Sequence, residues 1–297
     1  MEYFTISAGI SVHVWDTKDE RCPVKPGMTN NVKPGMTESV TPGTDRGSLV
    51  LLHGYLETMY IYTELVEALK PHCRVIVIDM PGHGLTDSAP ADAEGKRVNT
   101  LAFCADVVAG VLDKCGVEKA VVAGHSMGGY VTLKFVQDHP DRVERAVLLH
   151  SNPWADAPEK AADRAREEAF IAEGKLMSLA CASIPRMYYE ENLDACSEKI
   201  HETVELCEMH DPEGIIASIE GLRTRPDLQS VMAQPPVPLM LVYGDHDNFL
   251  PLARVDELKK LFPKVTYQLI PETGHNSFIE RPDSTLAALI QWVEPQS

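Results

Sequence analysis

The sequence predicts an α/β fold, in which a mostly parallel eight-stranded sheet is flanked by helices and interrupted by one inserted helical segment. Short apolar runs rich in β-branched residues, such as 49–52 and 75–78, alternate with amphipathic segments, such as 100–115. This alternation is typical of βαβ units, which build parallel sheets. One run ends in Gly-x-Ser-x-Gly at 124–128, and a strand-free stretch at about 152–233 separates two predicted strands. A chain of 297 residues can bury a core of this size.

The N-terminal part of the chain predicts a hairpin followed by an insertion. Residues 3–7 and 10–15 are short β-rich runs separated by Ala8 and Gly9, which favour a turn. The stretch 21–47 is rich in proline and glycine, and Val-Lys-Pro-Gly-Met-Thr occurs in it at 24–29 and again at 32–37. Because so short a repeat cannot build a core, we expect a loop insertion whose role the sequence leaves open.

Six further strands are expected after the insertion, and their carboxyl ends should lie together at one edge of the sheet. The predicted strands are 49–52, 75–78, 120–123, 146–149, 239–243 and 265–270, and the helices between and after them are 59–69, 100–115, 130–138, 251–262 and 284–293. Ligands of open parallel sheets bind at the carboxyl ends of the strands. Every motif described below follows such a strand end.

The stretch 153–233 is predicted to be a helical cap over that edge. It has helical periodicity at 157–173, 176–182, 196–209 and 212–221, and Gln-Pro-Pro-Val-Pro at 234–238 ends it. A helical block inserted between two strands of a parallel sheet is well placed to cover the ligand-binding edge. The predicted domains are therefore a first core part at 1–152, the cap at 153–233 and a second core part at 234–297.

Composition narrows the classes of function. The formal net charge is −17 and the pI is near 5.0, so a nucleic-acid partner, which requires a basic surface, is not expected. The sequence has neither a signal-peptide pattern nor a run long enough to span a bilayer, and we expect a cytoplasmic monomer or homodimer without a membrane partner. The seven cysteines are scattered and predict free thiols. Cys207 and His210 can share a helix face, but no second compact ligand pair accompanies them, so no metal is expected.

Residues 121–130 carry the clearest chemical signal. The run Val-Val-Ala predicts a strand, Gly-His-Ser-Met-Gly a tight turn, and the following amphipathic segment a helix. This context distinguishes the motif from a chance match, which is usually just a turn. The turn holds Ser126 in a strained conformation that exposes its hydroxyl, and Gly124 and Gly128 leave room for the bend. Ser126 is therefore the predicted nucleophile.

A serine hydroxyl requires a base within hydrogen-bond reach and a group that orients the base. His275 and Asp247 follow the last two predicted strands, so their loops converge with that of Ser126. The chain order Ser, Asp, His is the order expected when this turn lies in such a sheet. His150, at the end of a neighbouring strand, is a candidate to line the pocket but precedes the acid in the chain. Asp245 lies too close to its strand and is expected to support the turn.

The other histidines near these motifs are expected to have structural roles. His125 precedes the serine on its strand, so its side chain should point away from Ser126. His53 and His83 lie in glycine-containing turns, where we expect them to make structural hydrogen bonds.

Acyl transfer also requires donors for the negative charge that develops on the carbonyl oxygen. The amide of Met127, which follows the nucleophile, is one candidate. The loop after the 49–52 strand offers a second, the amide of Tyr55 in His53-Gly54-Tyr55. The alternative for His53-Gly54 is a plain tight turn.

Taken together, five motifs resemble the α/β-hydrolase superfamily, and within it the capped serine esterases, enol-lactonases and carbon–carbon hydrolases. They are His53-Gly54-Tyr55, Asp79-Met80-Pro81-Gly82-His83-Gly84, Gly124-His125-Ser126-Met127-Gly128-Gly129, Gly244-Asp245-His246-Asp247 and Gly274-His275. The resemblance implies Ser126 as nucleophile, His275 as base, Asp247 as its partner, and Tyr55 and Met127 as oxyanion donors. The serine at 126 departs from the dehalogenase and epoxide-hydrolase branches, which carry an aspartate there. The residue after it departs from the proline-iminopeptidase pattern, which usually has tryptophan.

These residues predict a serine hydrolase that cleaves an ester or thioester of a small to medium acyl substrate, without a cofactor. The same triad also fits a lactonase or a carbon–carbon bond hydrolase. A ligand receptor with a vestigial triad is a third alternative, although all three triad members are present.

Specificity is expected to lie in the cap and the nearby loops. Apolar candidates for the substrate pocket, each of which is alternatively a core residue, are Tyr55, Trp154, Phe170, Met177, Met187, Tyr188, Tyr189, Phe249 and Phe278. The segment 221–227 carries Arg223 and Arg225, which we expect to be solvated at a helix end. The alternative is a cation for an acidic part of the substrate.

Overall fold

A computed structural model describes residues 1–18 and 47–294. The predicted insertion at 21–47 lies outside the described residues except for its last position. The described part of the chain contains eight strands, β1 (Glu2–Ser7), β2 (Ile10–Asp16), β3 (Ser48–Leu52), β4 (Arg74–Ile78), β5 (Ala120–His125), β6 (Val143–Leu149), β7 (Leu239–Gly244) and β8 (Thr266–Ile270).

All eight strands form one sheet in the order β1-β2-β4-β3-β5-β6-β7-β8. The hairpin of β1 and β2 is antiparallel, β2 pairs antiparallel with β4, and every other neighbouring pair is parallel. This confirms the predicted fold class. Because β5 lies at the centre of the parallel region, the loop after it is flanked by the loops that follow β3 and β6.

Eleven α-helices accompany the sheet in the described residues. They are α1 (Thr63–Leu69), α2 (Leu101–Cys115), α3 (Met127–Asp138), α4 (Pro158–Ala172), α5 (Leu176–Ser183), α6 (Ser197–Leu206), α7 (Pro212–Arg223), α8 (Gln229–Ala233), α9 (Leu252–Leu261), α10 (Ser277–Glu280) and α11 (Pro282–Val293). No described helix is long and apolar enough to cross a membrane.

The helix expected at 59–69 is divided. Its first turn, Met59–Tyr62, is a 3₁₀-helix, and α1 begins only at Thr63. The Thr58 side chain accepts a hydrogen bond from the amide of Tyr60, which favours a tight first turn, and Tyr62 then has φ −98° and ψ 9°, outside the α-helical region.

The two faces of the sheet pack against different helices. On β3, Val50 and Leu52 belong to a core cluster that includes residues of α2, α3 and α9, whereas Leu49 and Leu51 face α1 and α11. Side chains alternate between the faces of a strand, so a strand buried on both faces is apolar throughout. This explains why the parallel strands read as continuous apolar runs in the sequence.

Five helices, α4 to α8, lie between β6 and β7. The first four share a core cluster, which Leu56 from the loop after β3 joins, whereas Val231 and Met232 of α8 pack in the main core of the sheet. The segment also contacts the loop after β8, where the amide of His275 donates to the carbonyl of Met187 at 2.6 Å. The side chain of Asn192 donates to Glu280 Oε2 at 2.8 Å. This helical segment is therefore fastened to the carboxyl edge of the sheet on two sides.

A buried cluster of ionised side chains joins the beginning and the end of this helical segment. Asp156 lies between two arginines, accepting from Arg164 Nε at 3.2 Å and from Arg225 Nη1 at 2.5 Å. Arg225 is only 8% exposed, and its guanidinium lies 4.1 Å from the centre of the Tyr130 ring. The prediction that Arg225 is solvated is therefore wrong, because Asp156, 69 residues earlier in the chain, compensates its buried charge.

Candidate active site

The turn between β5 and α3 holds Ser126 at φ 48° and ψ −109°. A positive φ is uncommon for a residue other than glycine and costs free energy unless the surroundings enforce it. Here two close approaches of the backbone enforce it. A Cβ on Gly124 would overlap the carbonyl of Gly128, and a Cβ on Gly128 would overlap the carbonyl of Leu52. These contacts explain both glycines of the motif.

Ser126 lies at the start of α3 with its side chain half-buried. Within residues 1–18 and 47–294, Oγ of Ser126 has no hydrogen-bond partner, and neither has Nε2 of His275. The amides of Tyr55 and Met127 donate to no acceptor in the same residues. Catalytic hydrogen bonds are often long without substrate and tighten in the complex. The two amides therefore remain available as donors.

His275 and Asp247 lie in the loops after β8 and β7 and are hydrogen-bonded to each other. Nδ1 of His275 lies 2.9 Å from Oδ1 and 2.8 Å from Oδ2 of Asp247. Oδ1 also accepts the amides of Phe249 at 2.7 Å and Leu250 at 2.9 Å. Both side chains are nearly fully buried. The aspartate thus holds the imidazole in the tautomer whose Nε2 is free to accept a proton.

The charge of Asp247 is strongly favoured. Burial by itself raises the pKa of a carboxyl, but the charge and hydrogen bonds of His275 and His150 outweigh it and hold the pKa of Asp247 well below its usual value. Asp247 is therefore a carboxylate at neutral pH. Asp245, the competing candidate, accepts the amide of Thr273 at 3.2 Å and lies 3.9 Å from Nε2 of His246, which fits a supporting role in the turn.

His150 is a contact of the acid that the sequence analysis did not identify. Its Nδ1 lies 3.0 Å from Oδ2 of Asp247, and its Nε2 lies 2.8 Å from Oγ of Ser277. The side chain is fully buried, so the expectation that His150 lines the pocket is wrong. The overlooked signal is topological, since β6 and β7 are neighbours and residues in the loops that follow them can touch.

Glu57 and His125 form a second buried pair, which joins the end of β5 to two loops. Oε2 of Glu57 accepts the amide of Gly54 at 2.7 Å and lies 2.9 Å from Nδ1 of His125, whose Nε2 lies 2.9 Å from the carbonyl oxygen of His275. Burial raises the pKa of Glu57, but the charge and hydrogen bond of His125 outweigh it and lower that pKa. The His125 side chain thus links the loop of Tyr55 to the loop of His275. Its direction away from Ser126 stays a prediction.

His53 and His83 differ in how many of their ring nitrogens have hydrogen-bond partners among the described residues. Nε2 of His53 accepts the amide of Met80 at 2.9 Å, as expected for a structural residue. Nδ1 of His83 lies 3.3 Å from the carbonyl of Pro81, whereas its buried Nε2 has no hydrogen-bond partner among the described residues. Burial lowers the pKa of both side chains, so both are neutral.

The cysteine and histidine that could have started a metal site bond instead to the backbone. Sγ of Cys207 donates to the carbonyl of Leu56 at 3.2 Å, and Nδ1 of His210 accepts the amide of Gly84 at 2.9 Å. These bonds attach the helical segment to the loops after β3 and β4.

The predicted pocket residues are distributed over several environments. Phe249 is 40% exposed with its ring 4.9 Å from that of His275, whereas Phe278 is buried against the rings of Tyr62 and His125. Phe170 is 36% exposed on α4. The others are Tyr55, half-buried near Arg164; Trp154, under the guanidinium of Arg254; Met177, Met187 and Tyr188, in or against the core of the helical segment; and Tyr189, stacked on His246. Contact with substrate stays a prediction for all of them.

The arrangement of strands, turn and loops agrees with a known family. The sequence matches the family model of the alpha/beta hydrolase fold over residues 47–168 and 186–282. The chain belongs to the α/β-hydrolase fold family.

Similar proteins within this hydrolase family include enzymes with different names. A Bacillus subtilis (strain 168) protein provisionally named 2-succinyl-6-hydroxy-2,4-cyclohexadiene-1-carboxylate synthase is 29% identical over 79% of this chain and 86% of its own length. A pimeloyl-[acyl-carrier protein] methyl ester esterase from Vibrio vulnificus (strain YJ016) is 23% identical, over 82% of this chain and 93% of its own length. The structure of a malate-bound thermophilic esterase from Thermogutta terrifontis superposes with a TM-score of 0.81 at 23% identity and covers 99% of this chain and 98% of that one.

Proposed function

We propose that this hydrolase cleaves an ester or thioester of a small to medium acyl substrate through Ser126, His275 and Asp247. The observation that carries the proposal is the joint geometry of two loops. A serine with φ 48° begins α3, and an imidazole fixed by Asp247 at 2.8 Å lies at the same edge of the sheet. This is the combination that a serine nucleophile requires.

In the proposed reaction, Oγ of Ser126 attacks the carbonyl carbon while its proton passes to Nε2 of His275. The oxygen of the tetrahedral intermediate accepts hydrogen bonds from the amides of Tyr55 and Met127. When the bond to the leaving alcohol or thiol breaks, Nε2 returns the proton to the leaving group. Water then attacks the acyl-enzyme, giving a proton to Nε2, and that proton returns to Oγ as the acid leaves. These steps use only protein groups and water, so no cofactor is required.

The relatives support an ester substrate. The Vibrio protein is named for a methyl ester esterase, and 23% identity extends over 82% of this chain. The Bacillus relative is named as a synthase. One fold can carry several chemistries, so the names of the relatives alone do not determine the reaction. A lactone is a cyclic ester, so a lactonase would use the same groups in the same steps.

We assign residues 153–233 as a cap that forms one wall of the substrate site. Two contacts support the assignment. The carbonyl of Met187 accepts the amide of His275, and the side chain of Asn248 donates to the carbonyl of Arg186 at 3.0 Å. We also assign the protein to the cytoplasm, since the six described cysteines are free thiols.

A chain-length series of p-nitrophenyl esters tests the proposal, with wild type compared with Ser126→Ala. The matched control is Ser230→Ala, because Ser230 is an exposed serine on α8. We expect turnover in wild type and control and its loss by at least about 10³-fold in Ser126→Ala. The preferred chain length then reports the size of the acyl site.

The other functions give different results in the same series. Turnover of lactones but not of open esters would identify a lactonase, and turnover only of a vinylogous diketone would identify a carbon–carbon hydrolase. Binding of an acyl ligand without any turnover would contradict the enzymatic proposal and favour a receptor.

A further inference from the structure

The acid of the candidate triad lies between two histidines. Oδ2 of Asp247 is 2.8 Å from Nδ1 of His275 and 3.0 Å from Nδ1 of His150. A triad acid needs only one imidazole to do its work, and the reaction proposed above makes no use of His150.

We propose that His150 is a positioning residue, which donates a hydrogen bond to Asp247 and thereby moderates how strongly that carboxylate supports the protonated form of His275. The inference rests on the proposed function, since it concerns the same base. It assigns a role to a residue outside the predicted triad.

The direction of the hydrogen bonds follows from the partners of His150. Asp247 is a carboxylate, so it can only accept, and Nδ1 of His150 must donate. Nε2 of His150 is then the acceptor, and the hydroxyl of Ser277 at 2.8 Å and its amide at 3.4 Å are both donors aimed at it. Ser277 therefore fixes the tautomer that presents N–H to Asp247.

The donor is a neutral imidazole. Burial lowers the pKa of His150 to about 4, in spite of the carboxylate beside it. At neutral pH Asp247 is therefore ionised and His150 is neutral. A neutral donor withdraws less charge from the carboxylate than a cation would. Oδ2 of Asp247 can therefore accept from His150 and still accept a strong hydrogen bond from His275.

The chain conformation also points to a specific placement of this side chain. His150 has φ 53°, a region that residues other than glycine rarely occupy, and its amide donates to the carbonyl of Val242 on β7 at 2.9 Å. Such strain persists only where surrounding interactions enforce it. The hydrogen bonds to Asp247 and Ser277 are such interactions.

Other titratable groups on the elements packed around this site remain in place when His150 is changed. They are His125 at the end of β5, with its ring 4.9 Å from that of His275 and 6.1 Å from that of His150; Glu57 beside His125; Asp245 after β7; and Glu280 on α10, which accepts the amide of Gly274. None of these donates a hydrogen bond to Asp247 within the described residues. A change at His150 thus removes a donor that no neighbour replaces.

The test compares His150→Leu, which cannot donate, with His150→Asn, whose amide nitrogen takes the place of Nδ1 and which tolerates a positive φ. Ser277→Ala is a second variant, for use if the leucine variant does not fold. It keeps the imidazole of His150 but removes the hydroxyl that donates to Nε2 and favours the N–H on Nδ1. Two quantities are measured. They are the acid limb of the pH profile of kcat/KM for a short p-nitrophenyl ester, and the NMR titration of the His275 ring.

We expect both midpoints to move to higher pH by about half a unit in His150→Leu, by less in Ser277→Ala, and to stay at the wild-type value in His150→Asn. The reason is that a carboxylate with one donor fewer stabilises the His275 imidazolium more strongly. A lower kcat with unmoved midpoints in His150→Leu and Ser277→Ala would overturn the inference and leave His150 a packing residue. If no ester is turned over at all, the proposed function fails, while the NMR titration still decides the role of His150.

Discussion

Replacing Glu57 by glutamine should destabilise the protein by about 3 kcal/mol. The carboxylate and the His125 ring are both fully buried, and they lie 2.9 Å apart. Both nitrogens of His125 face acceptors, Oε2 of Glu57 and the carbonyl oxygen of His275. The charge and hydrogen bonds around Glu57 lower its pKa and keep it a carboxylate, so both bonds of His125 form only when each of its two nitrogens carries a hydrogen.

The magnitude follows from what glutamine removes. Breaking a buried ion pair typically costs about 3–5 kcal/mol, because the remaining charge is uncompensated. If His125 loses its proton instead, one of its two hydrogen bonds is lost, at about 1–3 kcal/mol for the unsatisfied group. The new amide NH₂ then occupies the position of Oε1, which is buried without a partner, and adds a similar cost.

The assay is equilibrium unfolding in urea, followed by circular dichroism at pH 7. The matched control is Glu257→Gln, since Glu257 pairs with Arg254 at 2.5 Å with side chains 43% and 48% exposed. Such exposed pairs contribute at most about 1 kcal/mol. A loss below about 1 kcal/mol for Glu57→Gln, at an unchanged m-value, would refute the assignment of a buried ion pair.

Three further outcomes follow from the structure. Asp247→Asn should lower kcat by about 10⁴-fold, since the amide favours the wrong tautomer of His275, and stopped-flow kinetics showing a loss under 10-fold would contradict this. Gly84→Ala should cost at least about 2 kcal/mol in urea unfolding, because Gly84 has φ 54° and a Cβ there overlaps the Asp79 carboxylate, and an unchanged midpoint would count against it. The free energy of unfolding should fall as the pH drops from about 6.5 to 4, since His150 and His210 have pKa values lowered to about 4 by burial and bind protons only when unfolded. Each histidine contributes at most about 1.4 kcal/mol per pH unit to this fall in the free energy of unfolding. A free energy of unfolding that does not change between about pH 6.5 and 4 in urea titrations would contradict the prediction.

The sequence predicted the sheet and the convergence of the candidate triad because both depend on local patterns. Strand runs and helical periodicity determine the order of the elements, and a parallel sheet brings its carboxyl ends to one edge. The loops of Ser126, Asp247 and His275 were therefore expected together, and the hydrogen bond between His275 and Asp247 agrees with that expectation. The helix at 59–69 was less predictable, because the cap at Thr58 converts its first turn into a 3₁₀-helix.

Contacts between distant residues were the part that the sequence did not predict. The bond from His150 to Asp247 spans 97 residues, and that from Glu57 to His125 spans 68. Neither residue type nor periodicity indicates which buried polar groups will meet across loops. Arg225 illustrates the same limit. An arginine near a helix end is normally expected to be solvated, and the sequence does not indicate that Asp156 will pair with it.

The most direct test of the central claim is the location of a covalent label. Wild-type protein is treated with a fluorophosphonate, and the modified peptide is identified by tandem mass spectrometry, with Ser126→Ala treated in parallel. We expect one adduct per chain, on Ser126, with loss of ester hydrolysis in proportion to labelling and no adduct in the variant. Equal labelling of both proteins, or full inhibition with the adduct on another residue, would contradict the assignment of Ser126 as the nucleophile.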